Sequence, residues 1–88
     1  MSYPRNDSTE YRIITVVQQL LARRSINHTV SAHEDLRAIG FTSLDMINLV
    51  LSVEGEFNLT VPESSITPAN FRSVEAISKL IAALSAQA

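Results

Sequence analysis

The sequence predicts an all-α protein, a four-helix bundle of three main helices plus one short helix, with a long loop between helices one and two. Apolar residues recur at helical spacing in three separate segments of the chain. Each segment follows a residue that can cap a helix, namely Asp7, Thr42 and Ser73. No segment shows a convincing strand pattern of alternating apolar and polar residues.

Helix one is predicted from about residue 8 to residue 24. Asp7 with Glu10 three residues later is typical of a helix start. The apolar stripe that follows consists of Ile13, Val16, Val17 and Leu20, widened by Ile14 and Leu21. Arg23 and Arg24 fall in the last turn, where positive charge interacts favourably with the helix dipole.

The connection that follows, residues 25–41, shows no comparable stripe. Connections of this length without regular structure are uncommon and are often functional. We expect Leu36, Ile39 and Phe41 to fix this loop against the helices, because apolar side chains in a loop also gain from burial.

Helix two is predicted from Ser43 to Phe57. Thr42 followed by Asp45 is a capping pattern in which Asp replaces the usual Glu or Gln. The helix ends before Pro62, which favours an extended backbone at the residue before it.

The rest of the chain predicts one short turn of helix and a final helix. Residues 63–66 can form the short turn, which Pro68 ends. Ser73 caps the final helix, whose buried stripe is predicted to be Val74, Ile77, Leu80, Ile81 and Leu84.

Helix two carries more apolar surface than one core contact needs. Its apolar residues span about 220° of a helical wheel, against the roughly 100° of a core-facing stripe. The predicted core stripe is Met46, Leu49, Val50, Val53 and Phe57. A second flank, defined here as Leu44, Ile47 and Leu51, lies beside Glu54. A buried helix would not hold an unpaired carboxylate, so we expect this flank to be a partly exposed docking surface. The alternative is that the short helix after Pro62 covers it.

Composition limits the function. The 88 residues are enough for one domain, residues 1–88, with residues 1–7 expected to be a flexible arm. A net charge of −2 disfavours nucleic-acid binding, and the lack of Cys excludes disulfides, thiol catalysis and Cys-based zinc sites. No apolar run approaches the roughly 18 residues of a membrane span, and residues 1–10 show no secretory signal. We therefore expect a monomeric cytoplasmic protein.

The chain is poor in catalytic groups. Its two histidines, His28 and His33, both fall in the long loop. A triad of Ser43, one of these histidines and Asp35 can be drawn, but the residues around Ser43 lack the glycines of a nucleophile elbow. The string from Ala32 to Asp35 is not the His-Glu-x-x-His zinc motif. We expect no catalytic residue, no metal site and no enzymatic activity.

Ser43 opens helix two, and on propensity alone it needs no further role. Its surroundings change this interpretation, because Thr42-Ser43-Leu44 is followed by Glu56-Phe57 and then by Val61-Pro62. This pattern resembles the acyl carrier protein family, and residues 74–81 resemble the last helix of that family. The resemblance covers nearly the whole chain.

The resemblance implies that Ser43 carries a 4′-phosphopantetheine arm, which would hold an acyl or aminoacyl group as a thioester. The implied partners are a phosphopantetheinyl transferase, an acyl- or aminoacyl-loading ligase and downstream acyl-transfer enzymes. The residues that we expect at the partner interface are Thr42, Leu44, Asp45, Ile47, Asn48, Leu51 and Glu54.

Three positions depart from the family pattern. Thr42 stands where the best-known members have Asp, and Asn48 and Gly55 occupy positions that are often acidic. With fewer carboxylates, we expect weaker electrostatic attraction of this protein to the basic patches of fatty-acid synthesis enzymes. We therefore expect a carrier for a specialised pathway in fatty acid or secondary metabolite biosynthesis. The alternative function is an unmodified helical module that binds another protein through helix two.

Overall fold

Three α-helices and two short 3₁₀ turns make up the computed structural model, which describes residues 8–86. The helices are α1, Thr9–Arg23, α2, Ser43–Phe57, and α3, Val74–Ala86. The 3₁₀ turns are Leu36–Ile39 and Glu63–Ser65. No strand occurs within residues 8–86, which confirms the all-α class. The expected fourth helix is a three-residue 3₁₀ turn, and the expected flexible arm at residues 1–7 lies outside the described residues.

The cap of α1 differs from the sequence prediction. Ser8 is the N-cap, and its hydroxyl accepts a hydrogen bond from the Tyr11 amide at 3.0 Å. Asp7, the predicted cap, lies outside the described residues. Both residues are good N-caps, so local preference alone does not decide between two starts one residue apart. At the other end, Arg24 is the C-cap of α1 instead of a residue of its last turn.

The hydrophobic core lies between α1 and the two later helices. Its fully enclosed side chains include Ile13 and Val17 of α1, Leu49 of α2 and Ile77 of α3. The predicted stripes are confirmed, with Ile14, Met46, Phe57, Leu80 and Leu84 only partly buried at the edge of the core. Most of the core therefore comes from one stripe of each helix.

The long loop packs against this core. Leu36 and Phe41 are buried and Ile39 is half-buried, as predicted, and Val30 is buried as well. Two backbone hydrogen bonds join the loop to the start of α3, from the Leu36 amide to the Arg72 carbonyl at 2.9 Å and from the Glu75 amide to the Ala32 carbonyl at 2.8 Å. The loop is thereby held in one place just before α2 begins.

The second flank of α2 faces away from the core. Leu44 is 66% exposed, Ile47 57% and Leu51 60%. The 3₁₀ turn after Pro62 does not cover this flank, so the alternative of a fully covered flank is wrong. One helix thus presents a buried face and an exposed apolar face.

These two faces predict opposite results for two leucines of the same helix. Leu49→Ala removes an enclosed side chain, and we expect it to lower the free energy of unfolding by about 2–5 kcal/mol. Leu51→Ala removes an exposed one, and we expect a change within about 0.5 kcal/mol. Urea denaturation measures both. Equal losses in the two variants would mean that the second flank belongs to the core.

Candidate functional site

The start of α2 is fixed by a reciprocal pair of hydrogen bonds. The Asp45 amide donates to the Thr42 hydroxyl at 3.2 Å, and the Thr42 amide donates to Asp45 Oδ2 at 2.8 Å. This is a capping box with Asp at the third helical position, as the sequence predicted. The first residue of the helix, Ser43, therefore lies between two residues, Thr42 and Asp45, that are hydrogen-bonded to each other.

Arg24 connects this capping box to the end of α1. Its guanidinium donates a hydrogen bond to the Gly40 carbonyl at 2.8 Å and another to Asp45 Oδ2. Gly40 has a φ of 110°, a left-handed conformation that a glycine adopts without strain. One arginine thus joins the end of α1, the turn before α2 and the cap of α2. No local pattern in the sequence predicts a contact between residues so far apart.

The Asp45 carboxyl is stabilised in its charged form. Its partial burial acts to raise its pKa, but hydrogen bonds from the Thr42 amide and hydroxyl and the charge of Arg24 outweigh that effect. The pKa of Asp45 therefore lies below its ordinary value. The ionised carboxylate stabilises the folded state above the ordinary pKa, and this contribution is lost as the pH falls through the lowered value.

Ser43 is exposed at the first position of α2, and its side chain takes part in no hydrogen bond with residues 8–86. The capping box uses the amides of Thr42 and Asp45, which leaves the Ser43 and Leu44 amides without an acceptor among the described residues. Free amides at a helix N-terminus are suited to bind a phosphate. The position therefore fits a serine that carries a phosphodiester-linked group.

A mainly apolar pocket of about 510 Å³ adjoins this serine. It lies between α2 and residues 66–71, and it is lined in part by Ile47, Val50, Ile66, Pro68 and Phe71. No pattern in the sequence predicted this pocket, because its walls come from segments that are distant along the chain.

The predicted docking residues fall into two groups. Thr42, Leu44, Ile47, Asn48 and Leu51 are exposed, whereas Asp45 and Glu54 are only partly exposed. Glu54 Oε2 accepts a hydrogen bond from the Val61 amide at 2.8 Å. This carboxylate therefore helps to hold the segment after α2.

The two histidines pair with single carboxylates away from the capping box. His28 Nε2 lies 2.8 Å from Glu34 Oε2, and His33 Nδ1 lies 3.1 Å from Glu75 Oε1. The part of the chain that the structure describes contains no group of three or more His, Cys, Asp or Glu side chains placed to hold a metal. Within the same residues, no helix is long and apolar enough to cross a membrane.

The pKa of Asp45 predicts a pH-dependent stability. We expect Asp45→Asn to lower the free energy of unfolding by about 1 kcal/mol near neutral pH, because it removes the charge that Arg24 contacts. The difference from the unchanged protein should shrink as the pH falls below the ordinary Asp pKa of about 4, where the unfolded carboxylate becomes protonated, and be lost as the pH falls through the lowered pKa of the folded carboxylate.

Urea denaturation at several pH values measures this difference. Glu63→Gln, an exposed acid outside the capping box, is the matched control and should show no such trend. A difference that stays constant down to acidic pH would contradict the assigned role of the Asp45 charge.

Comparison with known proteins places this geometry in a family. The family model described as "Phosphopantetheine attachment site" matches residues 12–81. Aminoacyl carrier protein 1 of Bradyrhizobium diazoefficiens is 41% identical over 76 residues, which are 86% of this chain and 84% of that protein.

Two solved structures are similar in fold and sequence. One is a chain in the crystal structure of Bradyrhizobium japonicum glycine:carrier protein ligase complexed with glycylated carrier protein. It is 42% identical, with a TM-score of 0.70 over 81% of this chain and 96% of that one. The other is a chain in the complex of that ligase with its cognate carrier protein and an analogue of glycyl adenylate. It is 40% identical, with a TM-score of 0.73 over 84% of this chain and 96% of that one. The chain therefore belongs to the acyl carrier protein family, whose members bear 4′-phosphopantetheine covalently on a serine.

Proposed function

We propose that this protein is an aminoacyl carrier that holds an amino acid as a thioester on a 4′-phosphopantetheine arm attached to Ser43. The observation that carries the proposal is the exposed Ser43 hydroxyl at a capped helix start, next to two amides that have no acceptor among residues 8–86. The relatives named aminoacyl carrier proteins, 41% and 39% identical, support an amino acid as the cargo.

The chain positions the attachment point and leaves the chemistry of attachment to a separate transferase. In that step the Ser43 oxygen forms a bond to the phosphorus of coenzyme A that carries the pantetheine. The bond from that phosphorus to adenosine 3′,5′-bisphosphate breaks, and the hydroxyl proton goes to a base of the transferase. The attached group supplies the thiol that this Cys-free chain lacks. The free amides and dipole of α2 favour the negative phosphate by about 0.3–1 kcal/mol.

The proposed partners are a phosphopantetheinyl transferase, an aminoacyl-loading ligase and enzymes that consume the thioester. The matched chain in the ligase complex is about as long as this one, because the match covers 81% of this chain and 96% of that chain. It is therefore the carrier protein of that complex, which supports a ligase as a partner. We further propose a single carrier domain, without enzymatic activity of its own, that acts in a specialised pathway. The cytoplasmic location and the monomeric state remain predictions from the sequence.

A second candidate is an unmodified interaction module that binds a protein through the second flank. The exposure of Leu44, Ile47 and Leu51 is the observation in its favour. The two candidates differ in whether Ser43 becomes modified.

Intact mass spectrometry separates them. We expect the protein, incubated with coenzyme A and a broad-specificity phosphopantetheinyl transferase, to gain the mass of one phosphopantetheine group. Subsequent addition of Bradyrhizobium japonicum glycine:carrier protein ligase, glycine and ATP should add the mass of one glycyl group. Ser43→Ala should abolish both gains, because it removes the oxygen that forms the first bond.

Ser52→Ala is the matched control, a serine in the same helix that should leave both mass gains intact. A protein that gains no phosphopantetheine, or gains it in the Ser43→Ala variant, contradicts Ser43 as the attachment site. If Ser43 is modified but no ligase of a panel loads any amino acid onto the arm, the proposed aminoacyl cargo is contradicted.

A further inference from the structure

One carboxylate of the long loop lies between two arginines. Asp35 Oδ1 is 4.0 Å from Arg37 Nε, and Asp35 Oδ2 is 3.8 Å from Arg72 Nε. Both separations are longer than a hydrogen bond, so neither guanidinium is held firmly. Asp35 Oδ1 also accepts a hydrogen bond from the Arg37 amide at 2.9 Å, as the cap of the 3₁₀ turn Leu36–Ile39. One negative charge thus faces two positive charges, and this group of three residues carries one positive charge in excess.

The two arginines differ in their position relative to Ser43. Arg37 and Ser43 both line the pocket between α2 and residues 66–71, whereas Arg72 does not line it. Arg37 is also the only charged residue among the described residues that line this pocket. Its side chain is 65% exposed and makes no hydrogen bond within residues 8–86. The excess positive charge is therefore available in the pocket that Ser43 lines.

The other charges next to the start of α2 are already paired, among residues 8–86. Arg24 contacts the Asp45 carboxylate and the Gly40 carbonyl, as described above. Thr42, which precedes Ser43, is uncharged. Arg37 is thus the cation near the start of α2 that lacks an anion of its own.

The backbone of Arg37 is fixed, although its side chain is not. Leu36, the residue before it, is fully buried, and its carbonyl accepts a hydrogen bond from the Phe41 amide at 3.1 Å. The Arg37 carbonyl accepts one from the Gly40 amide at 3.2 Å. The turn therefore keeps Arg37 at a constant place beside the start of α2. Rotation about the bonds of its exposed side chain is enough to turn the guanidinium from one anion to another.

We propose that the Arg37 guanidinium binds the phosphodiester of the arm on Ser43 and thereby fixes the direction in which the arm leaves the protein. This inference rests on the proposed function, because it concerns the arm proposed there. The covalent bond to Ser43 Oγ determines where the phosphate lies, so binding needs no affinity of the helix start for free anions. A phosphodiester carries one negative charge, which is the charge that the group of Asp35, Arg37 and Arg72 lacks.

The chemistry of the two groups matches. A guanidinium is planar and can donate two parallel hydrogen bonds to two oxygens of one phosphate. Asp35 is a weak competitor, because its oxygen is 4.0 Å from the Arg37 guanidinium and already accepts the Arg37 amide. Movement of Arg37 to the phosphate leaves the Asp35 carboxylate to Arg72 alone, so that each charge then has one partner.

Phosphorus nuclear magnetic resonance of the phosphopantetheinylated protein tests the proposal, since the arm holds the one phosphorus atom of the molecule. The measured quantity is the difference in chemical shift between the folded protein and the same protein unfolded in urea. We expect Arg37→Gln to lose at least about half of this difference, because it removes the charge that binds the phosphate. We expect the difference in the unchanged protein to shrink as potassium chloride rises from roughly 0.05 to 0.5 M, because salt screens an exposed ion pair.

Two further variants separate this contact from a general effect of charge. Arg72→Gln is the matched control, because Arg72 is about equally exposed and also lies near Asp35, but it does not line the pocket. It should leave the difference in chemical shift unchanged. Arg37→Lys keeps the charge without the planar pair of donors, and it should retain more of the difference than Arg37→Gln does. Urea denaturation of the unmodified variants shows whether they fold as the unchanged protein does.

Three results would overturn the proposal while leaving the proposed function intact. They are a full difference in Arg37→Gln, an equal loss in Arg37→Gln and Arg72→Gln, and a difference in the unchanged protein that is absent or does not depend on salt. The last result needs no variant, so the proposal stays testable even if a substitution unfolds the chain. A protein that accepts no arm, or accepts it at a residue other than Ser43, would instead count against the proposed function.

Discussion

The rest of the site depends on the hydrogen bonds that the Asp45 carboxylate accepts. This carboxylate accepts hydrogen bonds from the Thr42 amide and from Arg24, and through them it joins the start of α2 to the end of α1 and to the turn at Gly40. Because that carboxylate already accepts these hydrogen bonds, it does not accept one from the amide of Ser43 or of Leu44. Among residues 8–86, the same contacts that fix the helix start thus leave the Ser43 hydroxyl and the Ser43 and Leu44 amides without a hydrogen-bond partner.

This arrangement also determines the character of the exposed face of α2. The arginines that hold the helix against α1 contact Asp45 and Glu56, so two of its acidic residues serve the fold. The apolar second flank then dominates what a partner can touch. Under the proposed function, stability and recognition are divided between the two faces of one helix, and the division follows from which carboxylates lie within reach of Arg12 or Arg24.

Local signals in the sequence predicted most of the fold. The bounds of α2 were correct because Thr42 and Asp45 form a self-contained start signal and Pro62 limits the end. The cap of α1 was wrong by one residue because Asp7 and Ser8 are both competent caps. The predicted fourth helix is only a 3₁₀ turn, Glu63–Ser65, because Pro62 and Pro68 leave few residues between them.

Contacts between distant residues were beyond the sequence patterns. The bond from Arg24 to Asp45 and the pocket beside Ser43 each join segments that only the folded chain brings together. The exposed flank was predicted, because excess apolar width and a carboxylate within it are visible on a helical wheel. The role of Ser43 as the attachment site is a prediction from a family resemblance, since periodicity alone predicts no role for it beyond starting a helix.

The capping box occupies two amides at the start of α2 and leaves two others without an acceptor among residues 8–86. Amide hydrogen exchange, followed by nuclear magnetic resonance on the unmodified protein, distinguishes the two pairs. We expect protection of the Thr42 and Asp45 amides together with fast exchange of the Ser43 and Leu44 amides. Equal protection of all four amides, or fast exchange of all four, would contradict it.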